Sequence, residues 1–258
     1  VKPAAAGALR LLGLLLLSLA ALQLYFLARV ALMAVVAPQS TTFQRSEAVR
    51  LLTEQGRILW SQQWVDYDRI SPHLKRAVIA SEDARFSEHS GIEWDAIEAA
   101  YERNQQQEAR AEKAAEREAR RQATRPHSAA RPVAPPRIVG GSTITQQLAK
   151  NLFLGSERSL ARKAQEVAIT YMLEGLLSKR RILEIYLNNV EWGEGLFGAE
   201  AAARHYYRVG ASQLGVAQAA RLAVMLPAPK RFEKRPYSAY MSGRAGTVAA
   251  RMGGVELP

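Results

Sequence analysis

An uninterrupted apolar stretch near the N-terminus constrains this chain more than any other feature. Leu11 to Ala28 contains no charged residue, and beyond Arg29 the apolar character resumes from Val30 to Ala37. A helix of about 20 such residues matches the hydrocarbon thickness of a bilayer and bonds its own backbone polar groups internally. A cleaved leader would carry a shorter apolar region, about 7 to 15 residues, ending in small residues. This run is longer and includes the bulky Tyr25, Phe26 and Leu27, so an uncleaved anchor is predicted over residues 11–37. Lys2 and Arg10 precede it. The positive-inside rule then leaves residues 1–10 in the cytoplasm and sends everything after Pro38 across the membrane. Arg29 either snorkels to the outer interface or lies against protein.

Beyond the anchor, a chain of 258 residues that is 48% hydrophobic can build one sizeable domain or two small ones. Its 35 Lys and Arg against 24 Asp and Glu give a formal charge of +11, which points to a polyanion: nucleic acid, an acidic lipid surface or a phosphorylated substrate. Nucleic acid is disfavoured by the side of the membrane. It is disfavoured too by the run Arg120, Arg121, Arg125, Arg131 and Arg137, which lacks interleaved aromatics. The absence of cysteine excludes disulfides, thiolate metal sites and a cysteine nucleophile.

Residues 38–63 read as a membrane-proximal segment. Within it, Ile58 to Trp64 is either a short strand or an interfacial stripe, with Trp60 and Trp64 expected in the core. Ser71-Pro72 opens a helix through Leu74, Ala77 and Val78. If that helix continues through Ser81 to Gly91, Glu82, Arg85, Phe86 and His89 share one face and Gly91 stops it. From Glu98 to Pro136 the composition turns to Ala, Glu, Lys and Arg, then to Pro126, Pro132, Pro135 and Pro136. That stretch is an exposed helix or a disordered excursion, with a flexible basic insertion expected over 102–136.

Gly140 to Gln147 has a clear local mechanism. The glycines permit a turn, Thr143 with Gln146 makes a capping box, and a helix opens over Thr145 to Phe153. Such a helix N-terminus can seat an anion, although the pattern is not a Walker loop. Lys150, Arg158, Arg162 and Lys163 follow, with Arg162 and Glu166 spaced i, i+4. Ser178 to Asn189 is amphipathic, Ile182, Ile185 and Tyr186 sharing a face. Gly193, Gly195 and Gly198 mark a turn region. Ala199 to Ala203 and Val216 to Leu226 read as buried helices, and Tyr240 to Met252 as a last helix carrying Arg244, Val248, Arg251 and Met252.

Taken in order, Glu82-Asp83-Ala-Arg85-Phe86-Ser-Glu-His89-Ser-Gly91, Gly140-Gly-Ser-Thr-Ile-Thr-Gln-Gln147, Arg162-Lys163-Ala-Gln-Glu166 and Lys179-Arg-Arg-Ile-Leu-Glu184-Ile-Tyr186-Leu-Asn188 resemble the motifs of the peptidoglycan glycosyltransferases. That family comprises the polymerase domain of class A penicillin-binding proteins and the monofunctional transglycosylases. Neither Ser-x-x-Lys nor Lys-Thr-Gly occurs, so the monofunctional form is the closer match.

The resemblance implies an all-α, lysozyme-like domain over residues 64–258. It also implies polymerisation of lipid II at the outer face of the cytoplasmic (inner) membrane, which makes lipid II, the growing glycan strand and membrane lipid the partners, with division or elongation proteins as further candidates. It assigns Glu82 as catalytic base and Glu166 as a second carboxylate. Asp83, Arg85, Ser142, Thr143, Thr145, Gln146, Gln147, Lys150, Arg158, Arg162, Lys163 and Arg244 become substrate-binding. Within that set Asp83 is suited to a neighbouring cation or a helix end, and Ser142, Thr143 and Thr145 to shaping the loop. Phe86 and His89 read as scaffold, and Glu184, Tyr186 and Asn188 as a structural helix with one polar edge on the cleft. No cofactor is required, and a divalent cation, Mg or Mn, is compatible with the chemistry.

Two departures stand out: the long 102–136 insertion, and Ala249 where the family has Leu after Val248. Rival readings are a lysozyme-like glycan hydrolase and a non-catalytic glycan tether. The cationic cluster argues against hydrolysis, which releases no diphosphate.

Overall fold

The computed structural model describes residues 3–124, 140–155, 157 and 159–258. These form two compact units, Val1–Gly91 with Thr143–Pro258, and Ile92–Ser142.

The main unit begins with α1, Pro3–Leu32. Its Gly7–Leu32 portion has a mean hydropathy of 2.2 and is long and apolar enough to cross a membrane. Leu11, Leu12 and Leu14 to Leu17 lie on its exposed surface, whereas Phe26, Val30 and, just beyond the helix, Met33 are buried against the rest of the unit. Helix α2, Thr42–Gln55, opens with a Thr41–Gln44 capping box. The Thr42 hydroxyl donates to Leu152 O at 2.9 Å and the Gln44 amide to Asn189 O at 3.2 Å. The membrane-proximal segment is thus part of the main unit.

Strand β1 is Ser61–Gln62, and helix α3 is Pro72–Glu82 with Ser71 as its N-cap. Trp60 is exposed, its ring tilted 50° against that of Phe197 at 5.1 Å, and Trp64 is half-buried, so the tryptophans line the core's margin rather than fill it. Helix α3 does not run on to His89. It ends at Glu82 because Asp83, at φ −162° and ψ 75°, leaves helical geometry and turns follow. The face proposed for Glu82, Arg85, Phe86 and His89 therefore does not form. Gly91 is a turn residue at φ +88°, where a Cβ would stand 2.7 Å from side-chain carbons of Thr170 and Glu174.

In the second unit α4 runs from Trp94 to Thr124, 31 residues. Over this part the exposed-helix reading holds. Arg125, Arg131, Arg137 and the four insertion prolines lie outside the described residues.

The main unit resumes with α5, Ile144–Phe153, α6, Leu160–Leu176, and α7, Lys179–Asn189, capped by Thr143, Ser159 and Ser178. Strands β2, Glu191–Gly193, and β3, Leu196–Phe197, complete a small sheet of order β1-β3-β2, β1 parallel and β2 antiparallel to β3. The glycine-rich stretch thus makes strands as well as turns. Gly195 turns between them at φ +68°, where a Cβ would sit 2.3 Å from Leu59 O.

Helices α8, Ala199–Tyr207, α9, Val216–Met225, α10, Pro229–Phe232, and α11, Ala239–Arg251, follow. Helix α9 packs against both α3 and α11. Ala219, Ala220 and Ala223 are fully buried there, small enough to let both neighbours approach closely. Trp192 anchors the centre, its indole donating to Leu222 O at 3.0 Å. Burial of each large apolar side chain contributes about 1.5–3 kcal/mol, and that rigid core fixes the ends of α3, α5 and α6.

Candidate active site

Glu82 is the last residue of α3, and its carboxylate lines a cavity of about 290 Å³ with Ser81, Val224, Pro227, Phe232, Tyr240 and Arg244. Burial pushes its pKa above the usual carboxyl value, against the hydrogen bonds from Gln147 and Ser81 and the charge of Arg244. A carboxylate raised in this way is a better proton acceptor than one in water. Gln147 Nε2 donates to Glu82 Oε2 at 3.0 Å, while Gln147 Oε1 accepts from the Tyr186 hydroxyl at 2.9 Å. Burial raises the Tyr186 pKa well above that of an ordinary phenol, so the hydroxyl stays protonated. As a donor it fixes which end of the Gln147 amide meets the carboxylate.

Asp83 turns the other way. It accepts from Ile144 N at 3.0 Å, at the start of α5, and contacts His89 Nε2 at 2.8 Å. An acid at a helix N-terminus satisfies an orphan donor and complements the helix dipole, so Asp83 locks α5 against α3. Thr143 and Gln146 form the capping box, and the Thr143 hydroxyl donates to Gly91 O at 2.6 Å. The Thr145 hydroxyl donates to Glu174 at 2.6 Å. All four side chains are buried and engaged in the scaffold.

One turn along α5 from Gln147, Lys150 lines a second cavity of about 360 Å³ with Phe43, Ser46, Glu47, Asn151, Leu154, Gly155 and Arg162. Residues three apart on a helix have Cβ atoms about 5–6 Å apart, so α5 presents the Glu82 partner and this lysine in succession. On α6, Glu166 is buried and accepts from Arg162 Nη1 at 2.9 Å and from Lys163 Nζ. Arg162 Nε is buried with no hydrogen-bond partner among the described residues. Desolvation by surrounding protein holds the Lys150 pKa below the usual lysine value, with Glu166 opposing and Arg162 and Lys163 reinforcing. The arrangement offers an anion several cations whose mutual repulsion one buried carboxylate relieves.

Of the predicted residues, Glu82 and Arg244 thus line the first cavity and Lys150 and Arg162 the second, while Gln147 is bonded to Glu82 and Lys163 is tied to Arg162 through Glu166. Arg85 is exposed in the turn after α3, Ser142 belongs to the second unit, and Arg158 lies outside the described residues. Sequence reasoning missed Phe43, Ser46 and Glu47, which come from the segment read as membrane-proximal. It also missed Phe232 and Tyr240, whose rings stack at 5.9 Å. Tyr186 was placed on a structural helix, and only its face marked it as inward-pointing.

The family model described as Transglycosylase matches residues 48–114 and 128–253. A biosynthetic peptidoglycan transglycosylase of Cupriavidus pinatubonensis is 50% identical over 257 residues, covering 96% of this chain and 90% of that protein. One of Cupriavidus metallidurans is 50% identical over 257 residues, covering 96% and 97%. One of Burkholderia thailandensis is 51% identical over 239 residues, covering 92% and 82%. With a match over most of its length and relatives at half identity, the chain belongs to the transglycosylase family.

Proposed function

We infer that this chain is a peptidoglycan glycosyltransferase of cell-wall synthesis, polymerising lipid II into β-1,4-linked strands with release of undecaprenyl diphosphate. The observation that carries the reading is a half-buried carboxylate, Glu82, hydrogen-bonded to Gln147, which lies one helical turn before Lys150 of the cation-lined cavity. Glu82 takes the proton of the acceptor sugar's 4-hydroxyl as that oxygen attacks the anomeric carbon of the donor. The bond from that carbon to the diphosphate oxygen breaks on the opposite face, its electron pair leaving with the diphosphate, and configuration inverts.

Lys150, Arg162 and Lys163 meet the leaving charge, joined by Arg158 on the strength of the resemblance. Glu166 holds Arg162 and Lys163 in place. The reaction runs without an organic cofactor, and a divalent cation, Mg or Mn, would assist by neutralising diphosphate. The N-terminal helix anchors the chain once in the cytoplasmic membrane, with Lys2 and Arg10 inside and the catalytic unit outside.

Purified full-length protein given labelled lipid II in detergent is expected to yield a ladder of glycan products, abolished by a phosphoglycolipid inhibitor. Shortening of preformed glycan without synthesis would instead establish a hydrolase. Binding of strands with neither product would establish a tether.

A further inference from the structure

The apolar span of α1 carries a glutamine, Gln23, that is neither stranded nor at the helix end. Gln23 Nε2 donates to Gln165 Oε1 at 2.8 Å, and Gln165 Nε2 donates back to Gln23 Oε1 at 3.0 Å. Two amides 142 positions apart therefore satisfy one another reciprocally. Three further contacts fasten the same end of α1. The Phe26 ring meets the Phe153 ring edge-on at 5.3 Å, Arg181 Nε donates to Met33 O at 2.8 Å, and Val30 is fully buried.

The partners are what make this more than packing. Gln165 precedes Glu166 on α6, and successive helical residues project about 100° apart. One turn of α6 thus shows an amide to the anchor and a carboxylate to Arg162 and Lys163. Phe153 ends α5, one turn beyond Lys150. The membrane helix is joined to both helices that carry the cationic cavity. Counting about 20 residues at about 1.5 Å each across a hydrocarbon layer of about 30 Å, a span starting at Leu11, just past Arg10, reaches the far boundary near Val30. Gln23 then lies about two turns inside it, where water offers the amides little alternative.

We propose that the Gln23–Gln165 pair is a positioning device that sets the cationic cavity at the height of lipid diphosphate headgroups, so that a substrate whose tail stays in the bilayer reaches it. The proposal rests on the glycosyltransferase reading and on the anchor crossing the membrane. It predicts a defect that depends on the medium. In full-length protein in vesicles, Gln23→Leu and Gln165→Leu each raise KM for the polyprenyl-linked substrate about 5- to 10-fold, with kcat changed less than about twofold. The double variant is no worse than either single one, because the two changes remove one interaction. With a short-chain substrate in detergent all three variants match the wild type.

An unchanged KM in vesicles, or an equal loss in both media, overturns the proposal. Because the chain has no cysteine, Gln23→Cys with Gln165→Cys gives a single reactive pair. A short bismaleimide is expected to join them within one chain in vesicles, and absence of that cross-link also overturns it. If the wild type makes no polymer the functional reading falls. The cross-link, and the affinity for polyprenyl diphosphate in vesicles against detergent, then decide the positioning claim by themselves.

Discussion

The two cavities at either end of the Gln147–Lys150 turn handle charge in opposite ways. Around Glu82 the walls are Val224, Pro227, Phe232 and Tyr240, with Arg244 as the cation; burial there raises the carboxyl's pKa and strengthens it as a proton acceptor. Around Lys150 the cations are crowded and Glu166 is enclosed among them. A proton acceptor gains from isolation, because desolvation disfavours its charged form. A seat for diphosphate gains from several charges held by rigid neighbours, because the ligand itself supplies the neutralising charge. Helix α5 carries both Gln147, which meets Glu82, and Lys150, so the mechanism proposed above has proton removal and leaving-group stabilisation in register.

Breaking the isolated side should cost most. Glu82→Gln keeps the Gln147 contact within reach but removes the base, and is expected to lower kcat about 10²- to 10⁴-fold with the thermal melting temperature unchanged. Activity near wild type in a folded Glu82→Gln would end the base assignment. On the other side, Lys150→Met is expected to cost about 10- to 100-fold in kcat/KM, the size of one lost charge-assisted hydrogen bond. Lipid diphosphate binding should weaken in parallel, measured by titration.

Tyr186→Phe tests the link between them. It frees Gln147 to rotate, and about a 3- to 10-fold loss of kcat is expected with little change in KM. The pH profile sharpens the contrast further. Glu82 must be deprotonated and its pKa is raised, so the acid limb should fall at a higher pH than an ordinary glutamate would give. Lys150 must be charged and its pKa is lowered, so the alkaline limb should come earlier than for an ordinary lysine. Lys150→Arg is expected to move that limb to higher pH.

The smallest effect concerns stability behind the cationic cavity. Glu191 is buried, its Oε1 has no hydrogen bond among the described residues, and burial pushes its pKa up to about 7 despite Lys230 at 3.6 Å. The folded chain therefore keeps a proton that the unfolded chain releases above about pH 4.5, and stability declines as pH rises from there through about 7. Glu191→Gln removes that loss. It should stabilise the protein by about 1–2 kcal/mol at pH 8 and by little at pH 5, read as the difference in melting temperature.

Signals written within a few residues were legible beforehand. Ser71 and Thr143 cap their helices where their spacing indicated, since a cap needs only a side-chain oxygen and a backbone N–H two or three residues on. The end of α3 was not legible in this way. Helical periodicity allowed continuation through His89, but Asp83 leaves helical geometry and bonds to Ile144 N, 61 positions away. Phe43 and Glu47 belong to the cationic cavity only because Gln44 reaches Asn189 and Thr42 reaches Leu152.

By itself, the sequence determined that the chain has one span able to cross a bilayer, an excess of positive charge and a set of motifs in a family's order. Hydropathy, net charge and local capping are properties of neighbouring residues. Only the tertiary structure decided that Glu82 meets Gln147, that Asp83 serves α5, and that the apolar N-terminal helix is bonded to the helix bearing Glu166. Those pairings join side chains dozens of residues apart, and no local periodicity encodes them. They come into being when close packing brings α1, α3, α5, α6 and α7 around one core.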